Sequence, residues 1–550
     1  MPGELAPWAI LLLLCAFTLP FFFSDVPPLV DLPGHLGRYR VQLDLGSSEY
    51  LRRWYDFHWR LVPNLGVDLL VQLFAPAFGL EPTVKVIAAA IPPLTAASFL
   101  WTSKEVHGRI PPTSYFALPL AFNYGFQFGF LNFCLSMGLA FAAFGLWLRL
   151  GRAGQTTLRS ALFVPLGALL WLAHIYGWAT LVLLCLGAEF GQRVRAREQQ
   201  FRWRAALTGT LAAVLPLSLP LLLIIVWSDQ GAGPTSRWFA LDVTAGWLVS
   251  ILRDRWIGWD LASAMVLFGL IGTAILRRPA FRFDPTLIYG AAALWLVCLL
   301  CPQKLFGSGY AAARLVPYAT ALTILAIRPA ERTGGRTRQW ILWAAVAFCA
   351  ARLASGSLSY ALYGRTLDRQ LLALHSIPEG SAVLAFVEAG CDQWANSRLA
   401  HLPSYAIGRR SSFSNDQWQT RGGQLLTITY ARAGKFSADP SSAVEDRDDC
   451  GPPTPRLRTV LPHVPWEAFD YLWLIDVPER LWPRTPALKE VWTSGESVLF
   501  RIEDTRPAPQ AIHSPNVRNG SEPNLDERRL PRGIYQGAVA DDRRRLHTLP

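Results

Sequence analysis

The segment Asp31-Leu-Pro-Gly-His35-Leu-Gly-Arg38 sets a carboxylate, an imidazole and a guanidinium within eight residues. Pro33 and Gly34 mark a turn. With a helix starting near Gly34, the i, i+3 spacing places His35 and Arg38 on one face and Asp31 at the N-cap. A carboxylate can take a proton from a hydroxyl, an imidazole can position it, and a guanidinium can clamp a phosphate. A plain reading stands beside this one: Asp31 only caps the helix, and Arg38 only pairs with lipid phosphate. Lys304 and Arg314 flank a Gly-rich loop, and Arg314 heads an otherwise apolar stretch, where a charge is costly unless used or snorkelled. They are candidate ligands for a substrate phosphate, or for interfacial lipid phosphates. His174, between two apolar runs, either faces substrate or makes an interhelical hydrogen bond. Asn64 either orients substrate or caps the apolar stretch that follows it. Asp25, Asp31 and Asp56 could meet only through the fold, and no zinc-type Cys spacing exists, so neither metal nor cofactor is expected.

Residues of this kind need a scaffold, and composition names it. Of 550 residues, 51% are apolar and 17% charged, against about 25% charged in soluble domains. Runs such as 9–23, 205–227 and 340–354 recur, and a bilayer core of about 30 Å needs ~20 mostly apolar residues per helix. Spans read as roughly 5–23, 83–103, 112–124, 129–150, 158–173, 175–191, 205–227, 260–276, 286–302, 313–328 and 340–358, about eleven in all. The first lacks the basic flank and cleavage site of a signal peptide, so it counts as a span. Residues 65–79 reach only about 22 Å and suit a helix lying in the membrane surface.

The net charge of +12 rests on 47 Arg and five Lys, a skew expected of a GC-rich bacterial genome. Those charges gather in short loops: Lys104/Arg109, Arg149/Arg152/Arg158, Arg193 to Arg204, Arg277/Arg278/Arg282 and Arg328 to Arg338. The positive-inside rule makes these five loops cytoplasmic. That accounts for the basic excess without nucleic acid, which is not an expected partner. Five Arg in 24–62 argue locally for the reverse orientation of the first helix, and the five downstream loops outvote them. The opposite side then receives 24–82, 123–129, 174–176, 228–259, 302–312 and everything after 359. Loop 228–259 is dense in Trp, as an interfacial belt or a sugar platform would be.

Six cysteines lie in apolar runs, while Cys391 and Cys450 are the pair in the polar C-terminal third and form a natural disulfide in an oxidising compartment. Short β-prone runs at 381–390, 424–434, 471–477 and 496–502 alternate with turns. The expected fold is therefore mostly α: a polytopic helical bundle over 1–360, including 24–82 as its first outer loop with surface helices. A small α/β or β-rich extracytoplasmic domain follows at 361–504, and then a disordered tail at 505–550.

A first helix, an outer loop with an early Asp and surface helices, then Pro63-Asn64-Leu65, Leu69-Leu70 and Phe74 through Gly79, resembles the GT-C superfamily of integral-membrane glycosyltransferases. The chain is similar in particular to bacterial members with a D-x-P-x-H-x-x-R loop, a W-x-x-x-P-N-L motif (Trp59 to Leu65) and an H-L-x-x-Y-A segment (His401 to Ala406). The resemblance implies transfer of a sugar from a polyprenyl-phosphate carrier to an envelope glycan or lipid acceptor, usually with inversion, at the outer face of the bacterial cytoplasmic membrane. Asp31 then inherits the general-base role with His35 beside it, and Arg38, Asn64, His174, Lys304 and Arg314 fall to substrate binding. Partners implied are the lipid-linked donor, the acceptor and membrane lipids. Many members carry an adjacent acid pair, whereas Asp31 is followed by Leu32 and Asp25 is the nearest second acid. That departure leaves a non-catalytic envelope assembly protein as an alternative, and a transporter or flippase of lipid-linked sugars is the other.

Overall fold

The computed structural model describes residues 3–196, 203–228, 235–278, 280–305, 309–390, 394–395, 397–419, 423–446 and 454–503. Cys391, Cys450 and the 505–550 tail lie outside the described residues. The chain divides into two compact units. One comprises Met1–Leu29, Trp59–Gly364 and Thr420–Leu425, the other Val30–His58, Arg365–Gln419 and Leu426–Pro550. Residues 30–58, grouped by sequence with the membrane bundle, thus belong to the second unit.

The first unit is helical, and the protein is a multi-pass membrane protein. By length and composition Leu80–His107, Leu131–Arg152, Thr156–Ala173, Ile175–Arg195, Ile257–Leu276 and Gly335–Ser376 can each cross a membrane. The pair Trp203–Leu217 and Leu219–Trp227, bent by 61°, makes up to a seventh crossing. Pro7–Phe23, Pro285–Leu300 and Ala311–Ala326 are shorter apolar helices on three further expected spans, and Gly66–Phe78 falls on the expected surface helix. The expected span at 112–124 is different. It is a 3-10 helix, Pro112–Phe122, with nearly every residue buried. Pro111 and Pro112 at its start and Pro119 within it remove N–H donors that an α-helix would need.

Contacts within this unit sort the loops into two ends. Glu105 pairs with Arg152, Glu189 with Arg159 at 2.8 Å and Arg193 at 2.7 Å, and Asp284 with Arg195 at 3.3 Å. Strand Phe281–Phe283 pairs antiparallel with Ile327–Pro329, setting Arg282 opposite Arg328. All five basic loops therefore meet. Gly3 joins them: a Cβ there would fall 2.9 Å from Arg338 Cβ. At the other end Ile175 N–H donates to Pro63 O (3.2 Å), Tyr124 N–H to Ile251 O (3.2 Å) and Gln303 N–H to Arg237 O (2.9 Å). There too a Cβ at Gly364 would lie 2.7 Å from Ser24 Oγ. The first helix thus runs from the basic end to the other, despite the five Arg that follow it.

Asn132 is the hinge pin of the surface helix. Its Oδ1 accepts from Val67 N–H at 2.5 Å, and its Nδ2 donates to Asn64 O and to the buried Asp68 Oδ2, both at 2.9 Å. Removing it strands those groups away from water. Asn132→Ala is expected to lose about 1–3 kcal/mol, read as a lower thermal midpoint in detergent; an unchanged midpoint would contradict the assignment.

The second unit is built on a six-stranded mixed sheet. Strand Ala382–Glu388 runs parallel to Phe413–Ser414, Ala443–Val444 and Tyr471–Ile475. Ser497–Ile502 then pairs antiparallel with Tyr471–Ile475 and with Leu488–Ser494. The continuous apolar runs of the two inner parallel strands suit burial on both faces, and every residue of each is buried. Residues 30–58 complete this unit. Their helix Leu32–Asp44 packs on Tyr405–Arg410, with Arg40 Nε donating to Gly408 O at 2.8 Å. Strand Tyr55–Phe57 pairs with Leu426–Ile428. Val41, Leu51, Trp54 and Tyr55 share a core with Leu384, Phe386, Phe413 and Leu472.

Candidate functional site

The helix holding Asp31, His35 and Arg38 begins at Leu32, with Asp31 at its N-cap as the spacing predicts, yet the carboxylate caps nothing. It turns to the second unit's own His401. Asp31 Oδ1 lies 3.8 Å from His401 Nε2, and His401 Nδ1 lies 3.0 Å from Asp416 Oδ1. An imidazole is thus held between two carboxylates. The capping-only reading of Asp31 fails.

The orienting shell is explicit. Asp416, fully buried, accepts from Ser404 Oγ at 2.7 Å and from Ser442 Oγ at 3.3 Å. Gln417 Nε2 donates to Ser404 Oγ (2.9 Å) and to Gly34 O (3.0 Å), stitching the His401 segment to the first turn of the Asp31 helix. The segment around Asp416 exists because strand Phe413–Ser414 stops after two residues. Asn415 then extends the ladder with its side chain, Oδ1 accepting from Ala385 N–H at 2.8 Å and Nδ2 donating to Ala385 O at 3.1 Å. The next two residues are released toward the site, beyond the carboxyl end of a parallel strand, where α/β sheets place ligands.

Electrostatics separates the two histidines. Burial pulls His401 down, but Asp416, by charge and hydrogen bond, with Asp439 and Asp31 outweighs it and holds the pKa up at about 9. His401 is an imidazolium at neutral pH. His35 goes the other way: burial first, then the charges of Arg38 and His401, push it well below the ordinary value. His35 is neutral, its Nδ1 facing Arg38 Nη2 at 3.5 Å. Burial also raises Asp439, to about 6, against the pull of His401. His401, Asp416 and Asp439 each offer a ligand atom within 4.8 Å of the others. Asp416 is shared among His401, Ser404 and Ser442, and the trio forms a buried ion-paired cluster.

Trp418 covers the cluster, its ring 4.6 Å from His401 and 5.3 Å from His35. Only glycine fits beneath it, since a Cβ at Gly34 would sit 2.4 Å from the indole. Gly34→Ala is expected to cost about 1–3 kcal/mol, and Gly34→Ala with Trp418→Leu less than the two changes summed. Additive thermal shifts would refute that contact.

The remaining candidates lie in the first unit, each with a local partner. Asn64 does not cap the surface helix, which is the work of Asn132; its Nδ2 donates to Gly423 O at 3.4 Å. His174 Nδ1 accepts from Tyr176 N–H at 3.3 Å, a bond at the start of the following helix, and its ring meets Phe133 edge-on. Arg314 lays its guanidinium over Phe130, 4.0 Å from the centroid, and 5.7 Å from Phe133. Lys304 is tied by its backbone to Ser236 in an antiparallel bridge. Arg253 in the same unit sits over Tyr124 at 5.2 Å.

Asp416, Asp439, Ser404 and Trp418 are the site residues that sequence reasoning passed over, and His401 was seen only as part of a motif. The signal was present at 412–417. Ser412, Ser414, Asn415, Asp416 and Gln417 are all fully buried, a polar run no core tolerates without a hydrogen-bonded purpose.

No protein-family model and no curated protein matches the sequence. Among solved structures the chain is similar to ArnT from Cupriavidus metallidurans bound to undecaprenyl phosphate, at TM-score 0.44 and 14% identity over 92% of this chain and 99% of that one. It is similar to the apo state of the same protein at TM-score 0.45, with the same identity and coverage.

Proposed function

We propose that the protein is a membrane glycosyltransferase moving a sugar from a polyprenyl-phosphate carrier to a glycan or lipid hydroxyl, with Asp31 as general base. The observation that carries this reading is the array Asp31, His401, Asp416: a carboxylate at a helix start, uncapping, with a charged imidazole fixed behind it. Asp31 accepts the acceptor's hydroxyl proton as that oxygen bonds to the anomeric carbon. The bond from that carbon to the carrier's phosphate oxygen breaks, and its electron pair stays on the phosphate. A single displacement of this kind inverts the anomeric centre. His35, neutral, and Arg38 hold the acceptor side of the same unit.

In the first unit we assign the carrier phosphate to Arg314 and Lys304, with His174 and Asn64 as further substrate contacts. The five joined basic loops face the cytoplasm under the positive-inside rule, which leaves the second unit extracytoplasmic. Cys391 and Cys450 are proposed to pair there.

The test uses the purified full chain in detergent. Polyprenyl phosphate, common to every donor of this class, should raise the thermal midpoint in proportion to its occupancy. Arg314→Gln should reduce that shift. Polyprenyl-phosphate hexoses should be consumed with release of polyprenyl phosphate. A transporter would bind the carrier but consume nothing where no second compartment exists. An assembly scaffold would do neither.

A further inference from the structure

We infer that His401 is a positioning residue for Asp31: its imidazolium, aimed by Asp416, keeps the Asp31 carboxylate ionised and turned away from the helix start it would otherwise cap. This rests on Asp31 being the base and adds the reason it can act as one. The geometry is directional. Asp416 engages Nδ1 at 3.0 Å, which leaves Nε2 pointing to Asp31 at 3.8 Å. Ser404 and Ser442 fix Asp416 from two other segments, so the carboxylate that aims the ring is itself held in place. Both His401 and Asp416 are closed to solvent, with side chains 2% and 0% exposed, whereas Asp31 retains 13%. The outermost member of the row is the one proposed to meet substrate.

Among the described residues His401 is faced by Asp31 and His35 from the helix side, Asp416 from the strand end and Asp439 from the following loop, with Arg38 beyond His35. Trp418 packs against the His401 ring, 4.6 Å between centroids and tilted by 60°. An opposite charge within about 4–6 Å moves a carboxylate by 1–3 pH units. Without His401, Asp31 should hold its proton to a higher pH and lose its orientation.

The full chain is prepared in detergent with 13C-labelled histidine and aspartate. Nine histidines give few signals, and that of His401 is the one lost in His401→Gln or His401→Lys. In the parent protein His401 should remain charged to about pH 9. Asp416→Asn and Asp31→Asn should each lower its titration point by about one unit or more. An unmoved His401 in Asp31→Asn overturns the inference, because the imidazolium would then serve Asp416 alone. In transfer assays His401→Gln should shift the acid limb of the pH profile upward by about 1–3 units with KM for the carrier unchanged. His401→Lys, which keeps a cation, should restore the limb in part. A uniform loss at all pH values with no shift would also overturn it. The charge coupling is read without any donor, so it can hold while Asp31→Asn keeps full transfer; that result would sink the enzymatic reading instead.

Discussion

Asp31→Asn should transfer sugar about 10²–10⁴-fold more slowly than the parent, the usual worth of a positioned base, while folding and binding polyprenyl phosphate unchanged. The substitution is close to isosteric, and Asn is as good an N-cap as Asp, so the helix Leu32–Asp44 loses nothing at its start. The carboxylate makes no cap there in any case. What disappears is a carboxylate that lies 3.8 Å from His401 Nε2 and keeps 13% of its side chain exposed. Rates are measured by release of polyprenyl phosphate from polyprenyl-phosphate hexoses, and binding by the thermal shift with the free carrier. Undiminished release in the variant ends the general-base assignment; loss of carrier binding as well would point to a general structural defect.

The second large effect concerns pH and the second unit. His401 carries a folded pKa of about 9 against an ordinary 6.5. The native state keeps a proton that the unfolded chain gives up, so the stabilisation is complete below about pH 6.5 and gone above about pH 9. At 1.36 kcal/mol per unit it amounts to about 3 kcal/mol. Asp439, raised to about 6 by burial, works in the same direction lower down, because its ionisation between about pH 4 and 6 costs the native state. The protection of residues 402–418 against hydrogen exchange, corrected for the intrinsic pH dependence of the chemistry, should therefore fall from pH 6 to pH 9. Asp416→Asn should flatten that fall, since it removes the leading favourable partner. Asp416→Ala should cost about 3–5 kcal/mol, the penalty of stranding a buried charge. A flat protection profile in the parent would refute the buried imidazolium.

Much of this molecule is legible from the order of its residues, and the reasons differ by element. The apolar runs announce themselves because each must match the same bilayer. The loops sort to two ends because Arg density is a property of short segments. Strands at 382–388, 471–475 and 497–502 lie where β-prone runs predict them. The exposed strand Leu488–Ser494 escapes notice because it lacks a clean apolar alternation, its burial running from buried Leu488 to exposed Lys489 and Glu490. Tyr55–Phe57 escapes because three residues carry no periodicity, and its partner is far along the chain. The spacing of Asp31, His35 and Arg38 is local, so it can be read. Their meeting with His401 and Asp416 is not local, and nothing in 30–38 points to it. The polar run 412–417 marks a buried site without saying whose.

The second unit is assembled from both halves of the polypeptide, and this has a consequence for biogenesis. Tyr55–Phe57 finds its strand partner at Leu426–Ile428 only after about 370 further residues have been made. At roughly 5–20 residues per second that is a wait of about 20–75 s, during which the greasy faces of Val41, Leu51 and Trp54 have no home. A nascent chain in this state needs a chaperone or the translocation machinery to shelter residues 30–58. A gene truncated after residue 364 would deliver helices to the membrane without the residues that surround Asp31 in the second unit.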